Sequence, residues 1–182
     1  MNAMIFLVST LFKLYLMVVL LRFWLQSARA DFYNPFSQFV VKATQPILKP
    51  MRRILPSMGK IDTSSLVLAL IISYLFWTAL VVLQAQPFDP LLTLYLSGLT
   101  VIKEFGTLVF WILLLRAILS WVSQGASPVE RVMHQLTEPF LAPIRRMLPD
   151  MGGLDLSVLV VFLGLNFINI LLGDFVPLWR IA

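Results

Sequence analysis

The sequence predicts an all-α integral membrane protein, with four transmembrane helices in two tandem parallel repeats, each carrying a cytoplasmic amphipathic helical connection. Three observations lead there. Apolar residues make up 59% of the 182 and charged ones only 13%, against roughly 45–50% and about 25% in soluble domains; the mean hydropathy is +0.89. Long apolar runs occur four times. A polar segment is written twice, as "PILKPMRRILPSMGKIDTSSLV" from Pro46 and "PFLAPIRRMLPDMGGLDLSVLV" from Pro139.

The first run, Met4–Leu21, is close to the ~20 residues needed to cross ~30 Å of hydrocarbon. Ala28-Arg29-Ala30 resembles a cleavage site, but a signal peptide has a basic start and a shorter apolar core. The first charged side chain here is Lys13, in the middle of the run, so the run reads as a span. Asn34-Pro35 then opens a connection, a capping side chain followed by proline at the first helical position. Apolar residues follow at helical spacing, Phe36, Phe39, Val40 and Ala43, then Ile47, Leu48, Met51, Ile54 and Leu55. After Pro46, Pro50 is expected to prevent one uninterrupted helix and set a bend, and Pro56 to end the short helix. Gly59 allows the turn, and Asp62 caps the returning span at its positive end.

The second span covers Ser65–Leu83. The third, Leu99–Leu119, is least defined at its start. Leu91–Ile102 is apolar too, and Lys103-Glu104 interrupts, so this is one tilted helix or a surface segment followed by a span. Ser127-Pro128 opens the second connection, and Ser127 with Glu130 fits a capping box. Val129, Val132, Met133 and Leu136 form its first stripe; Phe140, Leu141, Ile144, Met147 and Leu148 form the next. Pro139, Pro143, Pro149 and Asp155 repeat the roles of Pro46, Pro50, Pro56 and Asp62. The fourth span is Ser157–Gly173.

These equivalences hold at an offset of 93, with Thr44 matching Thr137 and Arg52-Arg53 matching Arg145-Arg146. Arg22 and Arg116 pair at an offset one residue longer. The chain therefore divides into repeats at 1–84 and 85–182. The first connection and its flanks carry Arg22, Arg29, Lys42, Lys49, Arg52, Arg53 and Lys60; the second carries Arg116, Arg131, Arg145 and Arg146. Gln84–Gly98 has no Lys or Arg. The positive-inside rule then sets both connections in the cytoplasm and both termini outside.

Each connection is expected to lie on the inner leaflet, its stripe immersed and its arginines among lipid phosphates, each worth ~1 kcal/mol near an anionic surface. Three roles remain open for Arg52, Arg53, Arg145 and Arg146. They anchor topology, hold a specific anion, headgroup or partner acid, or pair internally with Asp62 and Asp155. Within the spans, Lys13 matches Thr107 by the repeat, one turn from Glu104. A Lys13–Glu104 pair inside the bundle is one expectation; a snorkelling Lys13 with Lys103-Glu104 at an interface is the other. Asn166 and Asn169 share a helix face suited to interhelical hydrogen bonds. Trp24, Trp121 and Trp179 suit interfacial belts, and Trp77 and Trp111 suit packing.

"RAILSW" at Arg116–Trp121 and "TEPFLAPIRRMLPDMGGLDLS" at Thr137–Ser157, with degenerate copies at Arg22–Ser27 and Thr44–Ser64, resemble the YggT family of bacterial inner-membrane proteins and its YlmG-like plastid relatives. The first copy departs at Gln45, which replaces the acid of "TEP". The resemblance implies support of osmotic-stress tolerance and ion homeostasis, and brings no catalytic set. The chain has no cysteine and one histidine, His134, so no metal, cofactor or enzymatic role is expected. The net charge of +5 belongs to a membrane face without interleaved aromatics, so nucleic acid is not an expected partner. Membrane lipids, anionic headgroups and a membrane-protein partner or second copy are. The leading expectation is a structural or assembly factor, and the alternative is a small oligomeric ion channel or transporter subunit.

Overall fold

The computed structural model describes residues 3–55, 57, 61–123, 127–148 and 156–182. They form six helices: α1 (Ala3–Ser27), α2 (Pro35–Ile54), α3 (Thr63–Leu83), α4 (Pro90–Ser123), α5 (Pro128–Met147) and α6 (Leu156–Phe175). Four of them, α1, α3, α4 and α6, are long and apolar enough to cross a membrane. The third run is one continuous helix of 34 residues, about 51 Å long at ~1.5 Å per residue. Its start carries a signal of the same kind as Asn34-Pro35. Asp89 precedes Pro90, and Asp89 Oδ1 accepts from the backbone N–H groups of Leu91 (2.9 Å) and Leu92 (3.1 Å).

The other helix starts divide. Asn34 Oδ1 accepts from Phe36 N–H at 2.9 Å, and Asp62 Oδ1 accepts from Ser65 N–H at 3.4 Å. Ser127 has the extended backbone of a cap, yet its side chain makes no capping hydrogen bond, so the expected capping box is not formed. Two helix ends carry no sequence signal. Arg29 and Ala85 close α1 and α3 with φ of 52° each, and Ala30 N–H and Gln86 N–H reach back to Leu25 O and Val81 O at 3.0 Å. These are Schellman-type closures with a side-chain-bearing residue where glycine is usual.

The proline expectation is corrected. α2 runs through Pro46 and Pro50, and α5 through Pro139 and Pro143. Each pair is spaced i, i+4, so both rings lie on one face, and all four prolines are exposed. There a freed carbonyl can be hydrated and the ring clash relieved outward, while the buried face keeps its hydrogen bonds. α2 ends at Leu55, whose N–H donates to Met51 O at 2.8 Å. Pro56, Gly59, Pro149 and Asp155 lie outside the described residues.

The core sits where α1, α2, α3, α4 and α5 meet. Leu16, Val19, Leu20 and Leu25 of α1 pack with Val40 and Leu48 of α2, Leu68 of α3, Leu113 of α4 and Leu136 and Leu141 of α5. The apolar stripes of the connections are therefore split. Val40, Leu48, Val132, Leu136 and Leu141 are buried in protein, whereas Phe39, Ile47, Ile54, Phe140 and Met147 are exposed. Roughly half of each stripe is thus available to a bilayer. The helix α6 is the least covered, with Ser157 its buried residue.

Two groups of tryptophans are also corrected. Trp24 is buried, 5.6 Å from the Phe105 ring and 6.0 Å from the Phe140 ring. Trp179 is buried as well, its Nε1–H donating to Asn169 Oδ1 at 2.9 Å. Trp111, expected to pack, is exposed. Trp77 does pack, donating to Thr100 Oγ1 at 2.8 Å.

Candidate functional site: the buried charges

Among the described residues, two regions hold the internal charges. The first lies within the spans. Lys13 Nζ of α1 sits 3.0 Å from Glu104 Oε1 of α4; the Glu104 side chain is 8% exposed and that of Lys13 41%. Lys13 Nζ also lies 5.9 Å from the Phe76 ring centroid. The neighbouring Lys103 turns the other way, donating to the carbonyls of Trp179 (3.1 Å) and Ala182 (2.8 Å). A carboxylate in this setting needs its cation, because an unpaired charge in low dielectric costs several kcal/mol.

A cavity of about 510 Å³ opens between α4 and α6, with Lys103, Thr107, Phe110, Asn166 and Asn169 among its lining residues. Neither Lys13 nor Glu104 lines it. Asn166 Nδ2–H donates to Phe162 O in its own helix at 3.0 Å, and Asn169 serves Trp179. The interhelical hydrogen bond of this group is instead Ser73 Oγ of α3 donating to Ser97 O of α4 at 3.1 Å.

The second region lies at the junction of the spans with α2 and α5. Arg52 Nη2 bonds Asp62 Oδ2 and donates to Gln26 Oε1 at 2.9 Å. Asp62 is fully buried and has two duties, capping α3 through Ser65 and neutralising Arg52. Ser65 Oγ donates to Asp62 Oδ2 at 2.7 Å, and Ser64 Oγ donates to Leu55 O at 2.6 Å. The end of α2 is thereby fastened to the start of α3.

On the α5 side Asp155 lies outside the described residues, and the acid described there is Glu138. Glu138 lies between two arginines, its Oε1 3.0 Å from Arg145 Nη1 and its Oε2 3.4 Å from Arg116 Nη2. Arg116 Nη1 also donates to Thr137 Oγ1. His134, exposed one turn earlier, reaches Glu138 Oε2 at 3.3 Å. The second arginine of each pair differs from the first: Arg53 and Arg146 are exposed. The four arginines expected to act together are thus divided, Arg52 and Arg145 into the protein and Arg53 and Arg146 outward.

One group stands apart. Arg22 is 6% exposed, and its Nε and Nη1 have no hydrogen-bond partner. Its guanidinium lies 5.0 Å from the Phe32 ring centroid, a cation–π contact worth about 0.5–2 kcal/mol. Each unmade hydrogen bond of a buried polar group costs ~1–3 kcal/mol, more when the group is charged. Sequence reasoning registered Arg22 as part of a basic flank, and its burial has no local signal.

The two sides of the junction are joined directly. Asp31 N–H donates to Gln135 Oε1 at 3.0 Å, and Asn34 Nδ2–H donates to Pro128 O.

The model of the CCB3/YggT family matches residues 1–84 and 96–176 of the chain. A Vibrio alginolyticus protein of the proC 3′ region is 58% identical, with 98% of each chain covered. The Escherichia coli (strain K12) protein YggT is 52% identical over 93% of this chain and 88% of its own. YlmG homolog protein 2 of Arabidopsis thaliana, described as chloroplastic, is 36% identical over 30% of this chain and 22% of its own. No solved structure matches the chain.

Proposed function

The chain belongs to the CCB3/YggT family, and we propose on that footing that it is a structural or assembly factor of the bacterial inner membrane that supports osmotic-stress tolerance and ion homeostasis. In this reading residues 1–84 and 85–182 are two parallel repeats; the family model matches residues 1–84 and 96–176. α2 and α5 are amphipathic connections on the cytoplasmic leaflet, with both termini periplasmic. Their exposed apolar residues and outward arginines, Ile54 with Arg53 and Met147 with Arg146, meet acyl chains and anionic headgroups. The same surface can receive a membrane-protein partner or a second copy.

The observation that carries this reading is how the polar groups are used. Arg52 bonds Asp62 and Arg116 bonds Glu138 across helix junctions, and Arg145 bonds the same Glu138 within α5, as groups that hold a shape do. The polar residues of the spans are divided between a cavity and a separate ion pair, without a common lining. One observation favours a channel or transporter subunit, the Lys13–Glu104 pair at membrane depth.

Rubidium flux into proteoliposomes, with and without an osmotic gradient, separates the two. Flux equal to that of empty vesicles is expected for wild type. In a strain lacking the gene, Arg53→Glu/Arg146→Glu should fail to restore growth under osmotic shift at normal abundance, while Glu104→Gln at normal abundance should restore it. Rubidium flux that disappears in Glu104→Gln would overturn the scaffold reading.

A further inference from the structure

Arg22 and Arg116 occupy equivalent sequence positions, but among the described residues Arg116 has a carboxylate bonded to it and Arg22 has none. Arg116 meets Glu138, which also meets Arg145. The residue equivalent to Glu138 on the other side is Gln45, exposed and uncharged. Arg52, the equivalent of Arg145, has turned to Asp62. Arg22 is left buried with two nitrogens unbonded, and Nε of Arg52 is buried and unbonded too. The two arginines are neighbours. Gln26, one helical turn beyond Arg22, accepts from Arg52 at 2.9 Å. Among the described residues, two cations and one carboxylate, Asp62, already bonded to Arg52, stand around this group.

We infer that Arg22 and Arg52 form a binding site for a phosphate oxyanion at the junction of α1, α2 and α3, the anion supplying the negative charge that Glu138 supplies between Arg116 and Arg145. A guanidinium is suited to this because its planar fan of N–H donors matches phosphate oxygens and stays charged. Arg22 lies five residues before the end of α1, about 7.5 Å along the axis. That is headgroup depth if α1 crosses the bilayer, so an anionic phospholipid is one source and free phosphate the other. The site stands on the burial and bonding of Arg22 and not on the scaffold reading; a transporter could hold it equally well.

The test is thermal melting of the purified full-length protein in neutral detergent. The probes are short-chain phosphatidylglycerol and, separately, inorganic phosphate, each against chloride at equal ionic strength. Wild type should melt higher with at least one probe. Arg22→Gln should lose that shift, and Arg131→Gln, an exposed arginine outside the junction, should keep it. A shift with the lipid alone assigns a headgroup site; a shift with phosphate as well assigns a general oxyanion site. If Arg22→Gln fails to fold, Gln45→Glu decides. It places a carboxylate where the other side has Glu138, so it should raise the melting temperature without ligand and remove the ligand-dependent shift. No shift in folded wild type with either probe overturns the site. So does a full shift retained in Arg22→Gln, or retained in Gln45→Glu.

Discussion

Replacing Glu104 by glutamine removes the carboxylate and leaves Lys13 in the middle of α1 without a counter-ion. At 3.0 Å the gross attraction is about 5 kcal/mol for an effective dielectric of ~20. Desolvation of Glu104 and the 41% exposure of Lys13 reduce the net value well below that. The orphaned lysine is held against an insertion cost of ~2.5–3.5 kcal/mol, part of which snorkelling relieves. Glu104→Gln is therefore expected to destabilise by about 2–3 kcal/mol, a fall of about 5–10 °C in melting temperature for a chain of this size. Lys13→Met should also destabilise, because it strands the buried carboxylate. The double variant should return to within about 1 kcal/mol of wild type, giving a coupling energy near ~2 kcal/mol. Melting of the four proteins in lipid nanodiscs reads all three values. Single variants that melt like wild type, or effects that simply add, would refute the pair as a stabilising element.

Asp62→Asn retains an acceptor for Ser65 but removes the charge facing Arg52, and should cost about 3 kcal/mol; Asp62→Ala loses the cap as well and should cost ~1 kcal/mol more. Glu138→Gln removes the carboxylate facing Arg116, 12% exposed at its side chain, and Arg145, 40% exposed, so a loss of about 1–2 kcal/mol is expected by melting, smaller in high salt. Ala85→Gly relieves a side-chain-bearing residue at φ 52° and should stabilise by up to about 1 kcal/mol. Pro50→Ala restores a backbone donor inside α2 and should slow amide hydrogen exchange in residues 46–54 without loss of stability; unchanged exchange would show that the proline does not weaken the helix there.

The helices were legible because their signals are local. Four runs of apolar residues, Asn34-Pro35 and Asp62 each declare themselves within one or two turns, and α1, α3 and α6 lie near the expected bounds. Asp89-Pro90 was equally local and marks the start of α4, but the apolar character of Leu91–Ile102 obscured it. Other features had no local signal. Whether Pro50 and Pro143 break a helix depends on which face they occupy, and that depends on what the opposite face packs against. Trp24 and Trp179 have the composition of belt residues, but Phe105, Phe140 and Asn169 bury them.

By itself the sequence determined an all-helical chain with four long apolar helices, its family, and connections rich in arginine. Tertiary structure alone decided what each arginine does. Arg52 and Arg53 are adjacent and chemically identical, yet successive helical residues point about 100° apart, so one meets Asp62 and the other faces outward. Arg22 and Arg116 read alike too, and the difference lies across the helix interface, where among the described residues Arg116 meets Glu138 and Arg22 keeps two nitrogens without a hydrogen-bond partner. A charge is local, but its partner comes from another helix, and only packing brings the two within hydrogen-bonding distance.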